Sequence, residues 1–130
     1  MINKELESVA KFHSSFGIDS QEFPTVKIPE ETLTLRYNLM KEENEEYFKA
    51  ARNKDMIEVA DALGDMLYIL CGTILSHGMQ NKISEVFDEI QRSNMSKLGA
   101  DGKPIYRQDG KVLKGPSYFK PDIKSILEKD

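Results

Sequence analysis

Cysteine is nearly absent: Cys71 stands alone in 130 residues, which excludes an intrachain disulfide. The first residues lack the basic-then-apolar stretch of a secretory signal, and together these absences lead to the expectation of a cytoplasmic protein. No purely apolar run approaches the ~20 residues of a transmembrane helix, so no membrane partner is expected. Basic charge is not in excess either. Lys and Arg number 18 against 22 Asp and Glu, a formal net charge of −4, which is no bulk recipe for binding nucleic acid. Internal repeats and low-complexity segments are missing as well. The chain is 39% hydrophobic and 31% charged, enough for a single domain over residues 1–130 but lean for a monomer with a large private core. Self-association is therefore expected.

The charge is unevenly spread. Residues 1–91 carry 9 basic and 17 acidic side chains, net −8, and residues 92–130 carry 9 basic and 5 acidic, net +4. Chance and a solvated surface explain most imbalances of this kind, so the placement of the acids decides what this one means.

Hydrophobic periodicity predicts four helices. The first covers about 2–16, with Leu6, Val9, Ala10 and His13 at helical spacing before Gly17. A loop with two prolines follows over 19–29, then a long helix over about 30–53 with acids in its first turn. The next runs over about 55–77 to Gly78, and the fourth over about 81–95 with Ile83, Val86, Phe87 and Ile90 on one face. Beyond residue 97 glycine and proline displace the helical pattern. There the 104–107 and 111–114 segments flank Asp109-Gly110, a strong signal for a tight β-hairpin.

Advancing about 100° per residue, Arg36, Leu39, Met40, Glu46, Tyr47 and Ala50 lie within about 60° of Glu43, while Lys41, Glu45, Lys49 and Arg52 lie on the far side. Glu43 and Glu46 thus share the face that should pack inward. Between Ile57 and Leu75 the third helix has no Lys, Arg or His, and its apolar residues cover most of its circumference, so it is expected to be central and largely buried. Its one polar stripe is Glu58, Asp61, Asp65 and Tyr68.

Helices joined by the short connection at 53–54 pack antiparallel, which brings Glu43 and Glu46 opposite Glu58 and Asp61. Four converging carboxylates cost several kcal/mol in desolvation and repulsion unless they protonate or take up cations. The alternative is a solvated acidic face, with Asp61 or Asp65 bonded inside the fold. Two i,i+3 acid pairs on facing stripes favour a metal, and a set of oxygen donors without His or Cys suits Mg²⁺, with Mn²⁺ as substitute, ahead of Zn²⁺.

The pattern Glu42-Glu43-x-x-Glu46 followed by Glu58-x-x-Asp61 resembles the EExxE…ExxD signature of the all-α nucleoside triphosphate pyrophosphohydrolases of MazG type. The stretch from Val59 to Tyr68, Arg92-Ser-Asn-Met-Ser-Lys97, Asp101-Gly-Lys-Pro and Gly110-Lys-Val-Leu-Lys-Gly115 resembles the branch called phosphoribosyl-ATP pyrophosphohydrolase-like. The resemblance implies an all-α bundle of four to five helices, here with a short C-terminal hairpin or loop tail, assembled as a homodimer or homotetramer. It implies Mg²⁺-dependent hydrolysis of a nucleoside triphosphate between the α- and β-phosphates. Residue by residue it makes Glu43, Glu46, Glu58 and Asp61 the metal ligands and Glu42 the water-activating base or a support for its neighbours. The reaction type carries over, and the substrate does not.

Further residues each have two readings. Asp65 suits a metal-bound water or a ribose hydroxyl as well as an internal hydrogen bond, and Tyr68 suits a pocket wall. His13 resembles a base-contacting position, although a histidine on an amphipathic helix is commonly a packing residue. Cys71 is expected to be inert core. The outer phosphates need donors, for which the tail offers Asn94, Lys97, Lys111 and Lys114, the last two on opposite faces of a regular strand. Two rival classes remain: a non-catalytic helical module that binds a metal or basic partner, and a nucleic-acid binder using the basic tail, against which the acidic body argues. Phosphoribosyl-ATP hydrolysis proper is the enzymatic alternative.

Overall fold

The computed structural model describes residues 2–129 and consists of five helices: α1 (Asn3–Ser15), α2 (Glu30–Arg52), α3 (Met56–Ser76), α4 (Ile83–Met95) and α5 (Ile123–Glu128). The class is all-α, as expected, and α1 to α4 begin and end within about two residues of the periodicity. The sixth-residue length of α5 explains why no period announced it. It starts where the Asp122 carboxylate accepts from Ser125 N at 3.2 Å. The chain divides into two compact units, Met1–Asn81 and Lys82–Asp130. The boundary precedes α4 and does not fall near residue 97, where the composition changes.

In the first unit α2 and α3 form an antiparallel hairpin on which α1 packs along α3. The connection is very short. Lys54 adopts a left-handed backbone (φ 55°), so that Lys54 N bonds Ala51 O at 3.1 Å and Asp55 N bonds Ala50 O at 3.0 Å, satisfying the last carbonyls of α2. The Asp55 carboxylate then accepts from Glu58 N at 3.1 Å and caps α3. The core is small: Leu6 and Val9 of α1, Ala50 of α2, and Ala62, Cys71, Ile74 and Leu75 of α3. The 16–29 loop is tied to the end of α3 by Gln21 N to Leu75 O and Thr25 N to His77 O, both 2.9 Å, while His77 Nδ1 donates to Thr25 O at 2.8 Å.

One expectation is corrected here. Helix α3 is central in the hairpin, but its apolar circumference is not largely buried: Met56, Ile57, Leu63, Leu67, Tyr68 and Leu70 are all exposed. The unit supplies only two neighbouring helices, too few to cover every side of it. By length and composition α3 is also long and apolar enough to cross a membrane, yet it carries the acidic stripe of Glu58, Asp61 and Asp65 and packs on α1 and α2.

The second unit is organised by polar side chains of α4. Glu89 pairs with Arg92 at 2.8 Å and accepts from Asp122 N at 2.7 Å, and the Arg92 guanidinium lies 4.3 Å from the centroid of the Phe119 ring. Ser93 Oγ donates to Phe119 O at 2.8 Å. The hairpin is reduced to a single antiparallel bridge, Tyr106 to Val112, without a strand among the described residues. Arg107 N bonds Lys111 O at 2.7 Å and Gly110 N bonds Arg107 O at 2.9 Å, a three-residue loop in which Gly110 takes φ 90°. Asp109-Gly110 therefore closes a bulged turn, not a two-residue one, and a two-stranded ribbon with no third strand does not extend.

Candidate functional site

The register of α2 against α3 is set by a buried arginine. Arg36 donates from Nε to Thr73 Oγ1 at 3.1 Å and from Nη2 to Ile69 O at 2.9 Å. It reaches α3 over Gly72, where a Cβ would stand 2.5 Å from Arg36 Nη2 and 3.0 Å from His13 Nε2. Burial lowers the pKa of this guanidinium, and among the described residues no carboxylate pairs with it. Two turns along α2 from this clamp is Glu43, and one turn back along α3 is Asp65.

The acids meet there. Glu43 is half-buried, and its Oε2 is shielded from solvent without a hydrogen-bond partner. Its carboxyl is pushed above the ordinary glutamate range, first by burial and then by the charges of Glu46, Asp65 and Asp61. Glu43 is thus the hub of a group that includes Asp65. Glu58 lies one turn nearer the connection, where with Glu46, Lys49, Ala50, Asn53 and Asp55 it lines a cavity of about 310 Å³. Glu42 faces an open trough on the outer side of α2, shared with Glu45, Glu46, Lys49 and Arg52.

Other candidate residues lie apart from this group. His13 is 2% exposed, pairs through Nδ1 with Ser20 Oγ at 3.0 Å, and has its pKa lowered by burial and by Arg36. The packing alternative is the one its surroundings fit. Tyr68 walls an apolar groove between α1 and α3 with Ser8, Val9, Gly64, Leu67 and Cys71, and meets Phe12 edge-on at 5.6 Å. Cys71 is buried, with its thiol pKa raised by burial and by Glu5, as expected of inert core. Asn94, Lys97, Lys111 and Lys114 belong to the second unit. There Asn94 O accepts from Lys97 N at 3.1 Å, Lys111 N bonds Asp109 Oδ1 at 3.1 Å, and Lys114 Nζ lies 4.8 Å from the centroid of the Tyr118 ring.

Among the described residues no three Asp, Glu, His or Cys side chains stand close enough to ligate one ion. The chemistry of the carboxylates nevertheless fits a hard divalent cation, because the donors are all oxygen and the shielded Oε2 of Glu43 has nothing else to bind. The sequence reading passed over two residues, the buried clamp Arg36 and the cavity-lining Lys49. An arginine on the inward face of α2 was the available signal for the first.

Residues 9–94 match the family model described as phosphoribosyl-ATP pyrophosphohydrolase, a span that contains Glu42, Glu43, Glu46, Glu58, Asp61 and Asp65 and ends at Asn94. Among solved structures, a crystal structure from Exiguobacterium sp. 255-15, described as a candidate NTP pyrophosphohydrolase, is similar over 95% of this chain and 93% of that one, at a TM-score of 0.50 and 24% identity. That likeness concerns the fold. No curated protein sequence matches the chain.

Proposed function

Given that this chain belongs to the phosphoribosyl-ATP pyrophosphohydrolase family, nucleotide pyrophosphohydrolases of all-α, MazG-like fold, we propose that it hydrolyses a nucleoside triphosphate between the α- and β-phosphates in a Mg²⁺-dependent reaction. The observation that carries the reading is the shielded, unpartnered Oε2 of Glu43 amid Glu46, Asp61 and Asp65. A folded protein keeps such a carboxylate cluster at a cost to its own stability, and a cation is what relieves it.

Glu43, Glu46, Glu58 and Asp61 would hold the metal. When bound, Mg²⁺ supplies charge neutralisation for the phosphates and a more acidic water. A carboxylate oxygen of Glu42 takes the proton from the attacking water. The new bond forms from the water oxygen to the α-phosphorus, the bond from that phosphorus to the α–β bridging oxygen breaks, and the products are the nucleoside monophosphate and pyrophosphate. Asp65 takes a ribose hydroxyl or orients a water, and Tyr68 walls the nucleoside side. His13 has no part in this scheme because its ring is enclosed.

Phosphoribosyl-ATP as substrate is the second reading, favoured by the description of the matching family model. Pyrophosphate release from the canonical NTPs and dNTPs and from phosphoribosyl-ATP, with Mg²⁺ and with Mn²⁺, tests both. Turnover of a triphosphate that stops with EDTA is the expected result. Release from phosphoribosyl-ATP alone establishes the second reading, and no release from any of them overturns both. The exposed Ile57, Leu63, Leu67 and Leu70 of α3 support assembly as a homodimer or homotetramer, checked by sedimentation velocity.

A further inference from the structure

The first unit is acidic, and any phosphate chain approaching Glu46 and Glu58 meets negative charge unless a cation of the same unit stands beside them. One does. Lys49 is the cation that lines the cavity with Glu46 and Glu58, together with Asn53. Glu45 stands four residues before it, the favourable spacing and order for a helical ion pair, yet among the described residues Lys49 makes no salt bridge. Glu46, Lys49 and Asn53 also line the open trough on the outer side of α2, so these three residues are common to the cavity and the trough. One turn beyond, Arg52 is held at the trough with its guanidinium 4.7 Å from the centroid of the Phe48 ring.

We propose that Lys49, backed by Arg52, binds the pyrophosphate half of the substrate, because this lysine, which makes no salt bridge among the described residues, lines the same cavity as two of the carboxylates that would hold the metal. The inference rests on the pyrophosphohydrolase reading of that site and adds to it a phosphate-binding cation from α2 itself. A single lysine is suited to this position. Its ammonium is a point charge on a flexible stem, able to follow a phosphate oxygen as the leaving group departs, and Asn53 adds a neutral amide donor that no proton transfer switches off. With the carboxylates neutralised by a cation, the free charge of Lys49 is what distinguishes a pyrophosphate-binding cavity from a metal site alone.

Titration calorimetry of inorganic pyrophosphate into the Mg²⁺-loaded full chain tests this directly, on wild type, Lys49→Met and Lys49→Arg. Lys49→Met is expected to weaken pyrophosphate binding about tenfold, equivalent to ~1.4 kcal/mol, and to raise KM for the triphosphate in parallel, whereas Lys49→Arg stays within about threefold of wild type. The Mg²⁺-induced rise in melting temperature is expected to be unchanged in both, since neither removes a ligand. Unaltered pyrophosphate affinity in Lys49→Met overturns the inference, as does a wild type that does not bind pyrophosphate. Equal losses in Lys49→Met and Lys49→Arg, with a lowered melting temperature, overturn it in favour of a structural role. The pyrophosphohydrolase reading fails separately, if pyrophosphate binds in a Lys49-dependent way but no nucleotide is hydrolysed.

Discussion

Replacing Gly72 with alanine is expected to destabilise the protein even though alanine is the better helix former. In an ordinary helix interior the exchange gains about 1 kcal/mol. Here the new methyl would stand 2.5 Å from Arg36 Nη2, 3.2 Å from Arg36 Cζ and 3.0 Å from His13 Nε2. Neither group has room to retreat, because both are buried. The guanidinium must leave Ile69 O and Thr73 Oγ1, and losing hydrogen bonds from a charged group costs about 1.5–3 kcal/mol, to which overpacking adds ~1–3 kcal/mol. Set against the propensity gain, the net loss is about 1.5–5 kcal/mol, which for a chain of this length lowers the melting temperature by at least roughly 5 °C. Thermal unfolding followed by circular dichroism reads this directly. In Gly72→Ala/Arg36→Met the collision is gone, so the double variant should recover part of the loss left by simple addition, a positive coupling between contacting residues. A melting temperature that rises by a few degrees in Gly72→Ala would refute the clamp and with it the account of the α2–α3 register.

Glu43→Gln should make the metal-free protein more stable near neutral pH. The folded state holds a proton on Glu43 more tightly than the unfolded state, so stability falls as pH rises from the ordinary glutamate range through the raised folded value, and the glutamine variant should lose that slope in a pH series of denaturant melts. The same variant should lose the Mg²⁺-induced rise in melting temperature, and a full rise would remove Glu43 from the ligand set. Glu58→Gln should abolish Mg²⁺-dependent turnover with the helical circular dichroism intact, and full activity would remove Glu58 from the site. Glu42→Gln should lower kcat by roughly 10²-fold with metal affinity retained, whereas loss of metal binding would make Glu42 a ligand or its support.

Much of the hairpin could be read in the sequence, because its signals are local. Pro29 before two acids, the capping Asp55 and the stop at Gly78 each act within one turn of their helix, and the observed ends follow them. The 100° arithmetic expected Glu43 and Glu46 opposite Glu58 and Asp61; the structure sets Glu43 near Asp61 and Asp65, and Glu46 at a cavity with Glu58. The same arithmetic sent Lys49 to the far side. A direction at Cα says little about the reach of a four-carbon stem, and near the connection of the hairpin Lys49 lines the cavity. His13 could not be resolved from spacing because its burial depends on Ser20 and Arg36, both distant from it on the helical wheel or in the chain. The exposed flank of α3 shows another limit of periodicity: an apolar face declares that it avoids water, not which surface covers it.

The clamp, the acids and the capped turn between them all lie within residues 36–73, one uninterrupted hairpin. The hydrogen bonds of the clamp and the turn therefore close loops of 37 residues or fewer, and the entropy of closing a loop grows only slowly with its length. On a ribosome, where the N-terminal end emerges first, these residues can pair before α4 has been made. The acidic hairpin thus assembles from its own sequence, without waiting for the basic segment that is made after it.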